Sequence, residues 1–210
     1  MASSSAVLVD DSFLSKLDLK LEAFERVLAQ LSGVAVLVLV GLAVVSVTGR
    51  HFLNSPLPGY VDWIEAIMPI IAFLGLSYMH RQGGHIRMDI LVSQLRGRSL
   101  WFFELVSTVM IILLLLALIW GSWAHFDRSF DMSRPMWSRD SSMDINLPIW
   151  PAKLLVPFAF SVLLVRSLLH FWGYARAFVL GLPAPVAVPM IQSAAEIAAA
   201  EAEKMEQGRS

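Results

Sequence analysis

The 210-residue sequence contains no cysteine. That excludes disulfides, thiolate metal centres and thiol catalysis, although it assigns no compartment. Charge is scarce too: Asp, Glu, Lys and Arg make up 16% of the chain, against about 25% in soluble domains. Neither sign dominates. The formal net charge is -1, so no general attraction to nucleic acid is built in. No secretory signal peptide is expected. Residues 1–26 mix Asp10, Asp11, Asp18, Glu22 and Glu25 with Lys16, Lys20 and Arg26, and no short apolar core follows a basic start. The two halves do not resemble each other, which argues against an inverted-repeat transport core.

What the sequence does have is apolar length. Hydrophobic residues reach 57%, against roughly 45–50% in soluble domains. A membrane-spanning helix needs about 20 mostly apolar residues. Leu28–Thr48 meets this with no charge, and Val61–Met79 meets it while carrying Glu65 and Pro69. Leu100–Trp123 follows, with Glu104 near its start, and the last run extends from about Ile149 to Trp172. The runs are continuous rather than alternating, which selects helices over barrel strands. The predicted fold class is an all-α integral membrane protein, with four transmembrane helices plus amphipathic helices at the cytoplasmic face. Three regions follow: an amphipathic N-terminal segment (1–27), a four-helix membrane domain (28–172), and a Pro-rich linker with a tail helix (173–210).

Trp63, Trp101, Trp120, Trp123, Trp150 and Trp172 fall near proposed span ends, where indole rings favour the interface. Lys16, Lys20 and Arg26, then Arg81, Arg87, Arg96 and Arg98, then Arg176, Lys204 and Arg209 lie on one side. The other side has Arg50, Arg128, Arg134 and Arg139, the last three diluted by Asp127, Asp131, Asp140 and Asp144. The positive-inside rule therefore predicts cytoplasmic termini and an outward loop over 122–148. Phe13, Leu14, Leu17, Leu21, Phe24 and Leu28 recur at helical spacing, predicting a helix that lies on the membrane ahead of the first span.

The stretch YMHRQGGHIRMDIL, Tyr78 to Leu91, places two His, two Arg and an Asp around Gly83-Gly84. His85 and Asp89 are four apart and share a helix face. With no nucleophile or second ligand nearby, they read as a structural clasp rather than an acid–base pair. Arg87 and its neighbours suit anionic lipid head groups. Glu65 has two readings: an intramembrane functional carboxylate, or one shallow enough to reach interfacial water or a partner subunit. Glu104 and Arg166 are expected to form an interhelical ion pair, since lone charges in lipid are costly. No catalytic, substrate-binding or metal-ligating residue is indicated, and no cofactor is expected. The alternative is a cytochrome b-type haem subunit for electron transfer, using His51, His80, His125 and His170 at the span ends.

The segment DWIEAIMPIIAFLGLSYMHRQGGHIRMDIL resembles the signature of the DctQ-type small membrane subunit of TRAP (tripartite ATP-independent periplasmic) transporters. Trp63, Glu65, Phe73, Leu74, Gly75, His85, Ile86, Asp89 and Leu91 match it residue by residue, and the approach to the last span, with Leu147, Pro148, Trp150 and Pro157, is similar. The neighbours of Glu65 are Ile64 and Ala66, where the family often carries a second acid. The resemblance covers roughly Leu28 to Trp172. It implies a non-enzymatic scaffold in the bacterial inner membrane. Such a subunit packs against a large DctM-like subunit, which carries the substrate and sodium sites. A periplasmic substrate-binding protein delivers an organic acid. Trp63, Glu65, Gly75, His85, Arg87, Asp89, Glu104 and Arg166 are then the structural or subunit-interface candidates.

Overall fold

The computed structural model describes residues 7, 13–55, 57–82, 98–181 and 188. Its helices are α1 (Phe13–Phe52), α2 (Tyr60–Phe73), α3 (Leu76–Arg81), α4 (Arg98–Ser129) and α5 (Trp150–Leu180), with a 3-10 turn at Pro135–Trp137. Four stretches are long and apolar enough to cross a membrane: Phe13–Phe52, Tyr60–Arg81, Leu100–Ser129 and Trp150–Leu180. They contain the four apolar runs, and the chain is an all-α membrane protein.

Helix α5 is the axle, packing against α4, α2, α3 and α1. Leu28, Leu74 and Val162 bring α1, the α2–α3 junction and α5 together, with Ile70 and Leu155 around them. A second cluster joins Trp101 of α4 to Tyr174 and Ala177 of α5. Otherwise the outer faces of α1 and α4 are apolar and exposed: Leu37 and Val44 on one, Met110 and Leu114 on the other. A helix in lipid has no need to bury its apolar side chains, only its polar groups. Thr108, Ser122, Ser161 and Ser167 accordingly donate their hydroxyls to carbonyls of their own helices.

The second crossing is broken between α2 and α3 at Leu74-Gly75. A break strands the carbonyl of Ile71, and the Ser32 hydroxyl of α1 donates to it at 3.1 Å. A Cβ on Gly75 would meet only that hydroxyl oxygen, at 4.0 Å, so packing does not demand glycine there. Helix α5 ends where the Pro-rich stretch begins, with Gly181 in the left-handed region at φ 64 and its N–H bonded to the Ala177 carbonyl.

The amphipathic N-terminal stretch is helical, as its periodicity predicts, but it is not a separate surface element. It is the first part of α1, with no break before the span. Its inward face mixes Leu14 and Leu28 with charged residues. Asp18 and Glu25 are fully buried, while Phe13 and Phe24 are exposed.

Candidate functional site: a buried charge network

Asp18, Glu22 and Glu25 stand at i, i+4 and i+7 on α1, so the helix presents them as one acidic stripe. Arg81 at the end of α3 and Arg166 in α5 meet that stripe. The Arg81 guanidinium donates to Asp18 through Nη2 at 2.8 Å and Nε at 3.3 Å, and reaches Glu22 at 3.0 Å. Arg166 forks onto Glu25, from Nε to Oε1 at 2.9 Å and from Nη2 to Oε2 at 2.5 Å, and its Nη1 donates to Asp18. The Ser77 hydroxyl adds a further donor to Glu25. Glu22 is also paired with the exposed Arg26 one turn on. Among the described residues three carboxylates therefore face three guanidiniums, and these six charges balance. Burial of ionised groups is tolerated only under such pairing. Chemically the arrangement is a clasp: each of these three acids is tied to a permanently charged donor.

The expected Glu104–Arg166 pair is therefore corrected. Arg166 is committed to Asp18 and Glu25, which α1 delivers to the same level of the bundle. Glu104 is buried on α4, and its carbonyl accepts from Thr108 at 2.7 Å. The haem alternative meets a similar objection. His80 and His170 do come together beside the network, but as stacked rings with centroids 4.8 Å apart and planes at 27°. Axial ligands would approach an iron end-on from opposite sides, which this face-to-face packing does not provide. His51 and His125 are exposed at the other end.

At that other end, the loop between α4 and α5 is folded rather than slack. Antiparallel bridges join Phe130 to Ser138 and Ser141 to Pro148. Asp62, in the first turn of α2, is the latch. Its Oδ2 accepts from the Ser142 hydroxyl at 2.6 Å, the Asp144 N–H at 3.0 Å and the Ile145 N–H at 2.8 Å. Gly59 lets the loop come this close: its φ is 68, and a Cβ there would sit 2.6 Å from Ile145. The Trp150 indole N–H donates to the Met136 carbonyl at 3.0 Å, and Phe130 and Trp137 pack on the Trp150 ring. The Ser133 hydroxyl and N–H, followed by the Arg139 guanidinium, hold the Asp131 carboxyl down at about 2. The Ser129 hydroxyl and the Lys153 ammonium hold Asp140 below the usual carboxylate range.

The sequence candidates are scattered over this frame. Trp63 and Glu65 are exposed on α2, Gly75 is at the α2–α3 break, Glu104 and Arg166 are buried in different helices, and His85, Arg87 and Asp89 lie outside the described residues. Of the Trp residues placed at span ends, Trp63, Trp120, Trp123 and Trp172 are exposed, whereas Trp101 is buried and stacked on Tyr174. Sequence reasoning missed Asp18, Glu22, Glu25, Arg81 and Asp62. The i, i+4, i+7 spacing of the three acids was the available signal.

Four crossings with a neutralised charge network inside and apolar faces outside define a helical membrane protein built to pack against lipid or another membrane chain. The particular family is shown by sequence. The chain belongs to the DctQ component of tripartite ATP-independent periplasmic transporters, whose family model matches residues 39–177. That family is a transporter component, not an enzyme family. The match includes Arg81 and Arg166 and begins after Asp18, Glu22 and Glu25. Among curated proteins, no sequence matches this chain.

Proposed function

We propose that this chain is the small accessory subunit of a TRAP transporter in the inner membrane. It braces a large DctM-like subunit during uptake of an organic acid driven by an ion gradient, with sodium as the coupling ion. The observation that carries this reading is the family match over 39–177. The disposition of polar groups supports it. Asp18, Glu25, Arg81 and Arg166 are engaged with one another, and an apolar cleft of about 550 Å³ beside α5 is lined by Leu28, Leu74, Leu154, Phe158 and similar residues, with Ser161 as its one hydroxyl. Neither feature suits passage of a carboxylate or its counter-ion, which would need polar lining. The apolar faces of α1 and α4 suit a brace.

In this reading the charge network lies at the cytoplasmic end and both termini face the cytoplasm, in line with the Lys and Arg distribution. The loop over 122–148 faces the periplasm. Met132, Met136, Trp137 and Met143 are exposed there and offer an adaptable surface to the binding protein.

Purification of the tagged chain from its native membranes in mild detergent tests the assignment. A stoichiometric large permease with no Soret band is expected. A haem band with no permease would overturn it.

A further inference from the structure

Charges within the spans mostly turn inward, where Asp62, Glu104 and Arg166 are buried. Glu65 differs. It is exposed on α2, about 7.5 Å along the axis from Tyr60 at 1.5 Å per residue. It has no hydrogen bond or ion pair with any described residue. Val61, Met68 and Ala72 are exposed at i−4, i+3 and i+7, so the carboxylate lies within an apolar stripe on one face. Pro69 has no N–H to donate to the Glu65 carbonyl four residues earlier. The two oxygens of the Glu65 carboxylate thus face whatever lies against α2, and the carbonyl of the same residue is left without its usual helical donor.

An ionised carboxylate among lipid tails is costly, and pairing with a cation relieves that cost. The stripe from Val61 to Ala72 spans 12 residues, a rise of about 16.5 Å, which is the length of a helix contact rather than of a lipid head group. A guanidinium suits two neighbouring acceptors because its N–H groups form a fork. We propose that this face of α2 is a contact surface for a membrane helix of the large subunit, and that a basic side chain of that helix, arginine by preference, pairs with Glu65. The proposal rests on the accessory-subunit reading above and names the contact within it.

The test uses the tagged chain co-expressed with the large subunit. Glu65→Gln lowers the co-purified large subunit on the order of tenfold, as loss of one strong interhelical polar contact in a membrane does. Glu65→Lys abolishes co-purification, and reversing the charge of the facing basic residue restores it. A photo-crosslinking residue at Met68, with Glu65 intact, locates that basic residue without relying on a variant's folding. The expected adduct is with the large subunit. An adduct with lipid alone overturns the proposal, as does full co-purification of Glu65→Lys. If the unmodified chain brings down no large subunit, the accessory-subunit reading fails first. Retention by the unmodified chain and by Glu65→Lys alike removes only this contact.

Discussion

Asp18 and Asp62 are both almost fully buried, 0% and 4% exposed, yet they are satisfied by different chemistry. Asp18 sits inside α1, past its first turn, and its partners are the guanidiniums of Arg81 and Arg166. Asp62 sits at a helix start beneath a loop, and two of its three donors are backbone N–H groups. The difference follows from where backbone donors are free. Within a helix the N–H groups are spent on the carbonyls four residues back, so only side chains can answer a buried acid. A loop still has N–H groups to give. The first end therefore joins α1, α3 and α5 by ion pairs, and the second fastens a loop to a helix by a backbone clasp.

The largest expected effect breaks the first end. Arg166→Met leaves Glu25 and Asp18 short of their main partner, and removal of one member of a buried ion pair costs about 3–5 kcal/mol. Thermal unfolding in detergent measures it. Adding Asp18→Asn and Glu25→Gln to the same chain removes the stranded charges and is expected to recover much of the loss. A destabilisation that the triple variant does not relieve would mean that packing, not charge pairing, is the role of Arg166.

The second end gives a local effect. Asp62→Ala removes three hydrogen bonds from the loop without touching the ion network. Amide exchange at Asp144 and Ile145 is expected to quicken on the order of tenfold or more, with the spans unchanged. Unchanged protection of those two amides would show that the bridges and the aromatic contacts suffice to hold the loop.

The smallest effect sharpens the contrast by pH. Asp131 is held at about 2 in the folded loop, below its ordinary value of 3.8. A depressed carboxylate contributes stability above its unfolded value and loses it as pH falls through the folded one. Protection of the Ser133 amide should therefore be complete above about pH 4 and fall toward pH 2. Loss of protection already at pH 5 would assign the loop's stability to another group.

Apolar length alone placed the four crossings, because a continuous run of about 20 such residues has few other uses. The end of the last helix was less legible: the apolar run stops near Trp172, whereas α5 continues to Leu180 and ends where Gly181 takes the left-handed conformation. The inward face of α1 was also less legible. Its apolar spacing predicted a helix lying on the membrane; Leu14 and Leu28 are buried, but so are Asp18 and Glu25, while Phe13 and Phe24 are exposed. In a membrane Asp18 and Glu25 turn inward to find partners while the phenylalanines face outward. The partner of Arg166 was likewise beyond the sequence. Glu25 and Asp18 lie 141 and 148 residues away along the chain, whereas Glu104 is nearer and equally acidic. Periodicity describes one helix at a time and fixes its length and its faces. Which acid meets which guanidinium depends on how the helices stand against one another, and only the assembled bundle sets that distance.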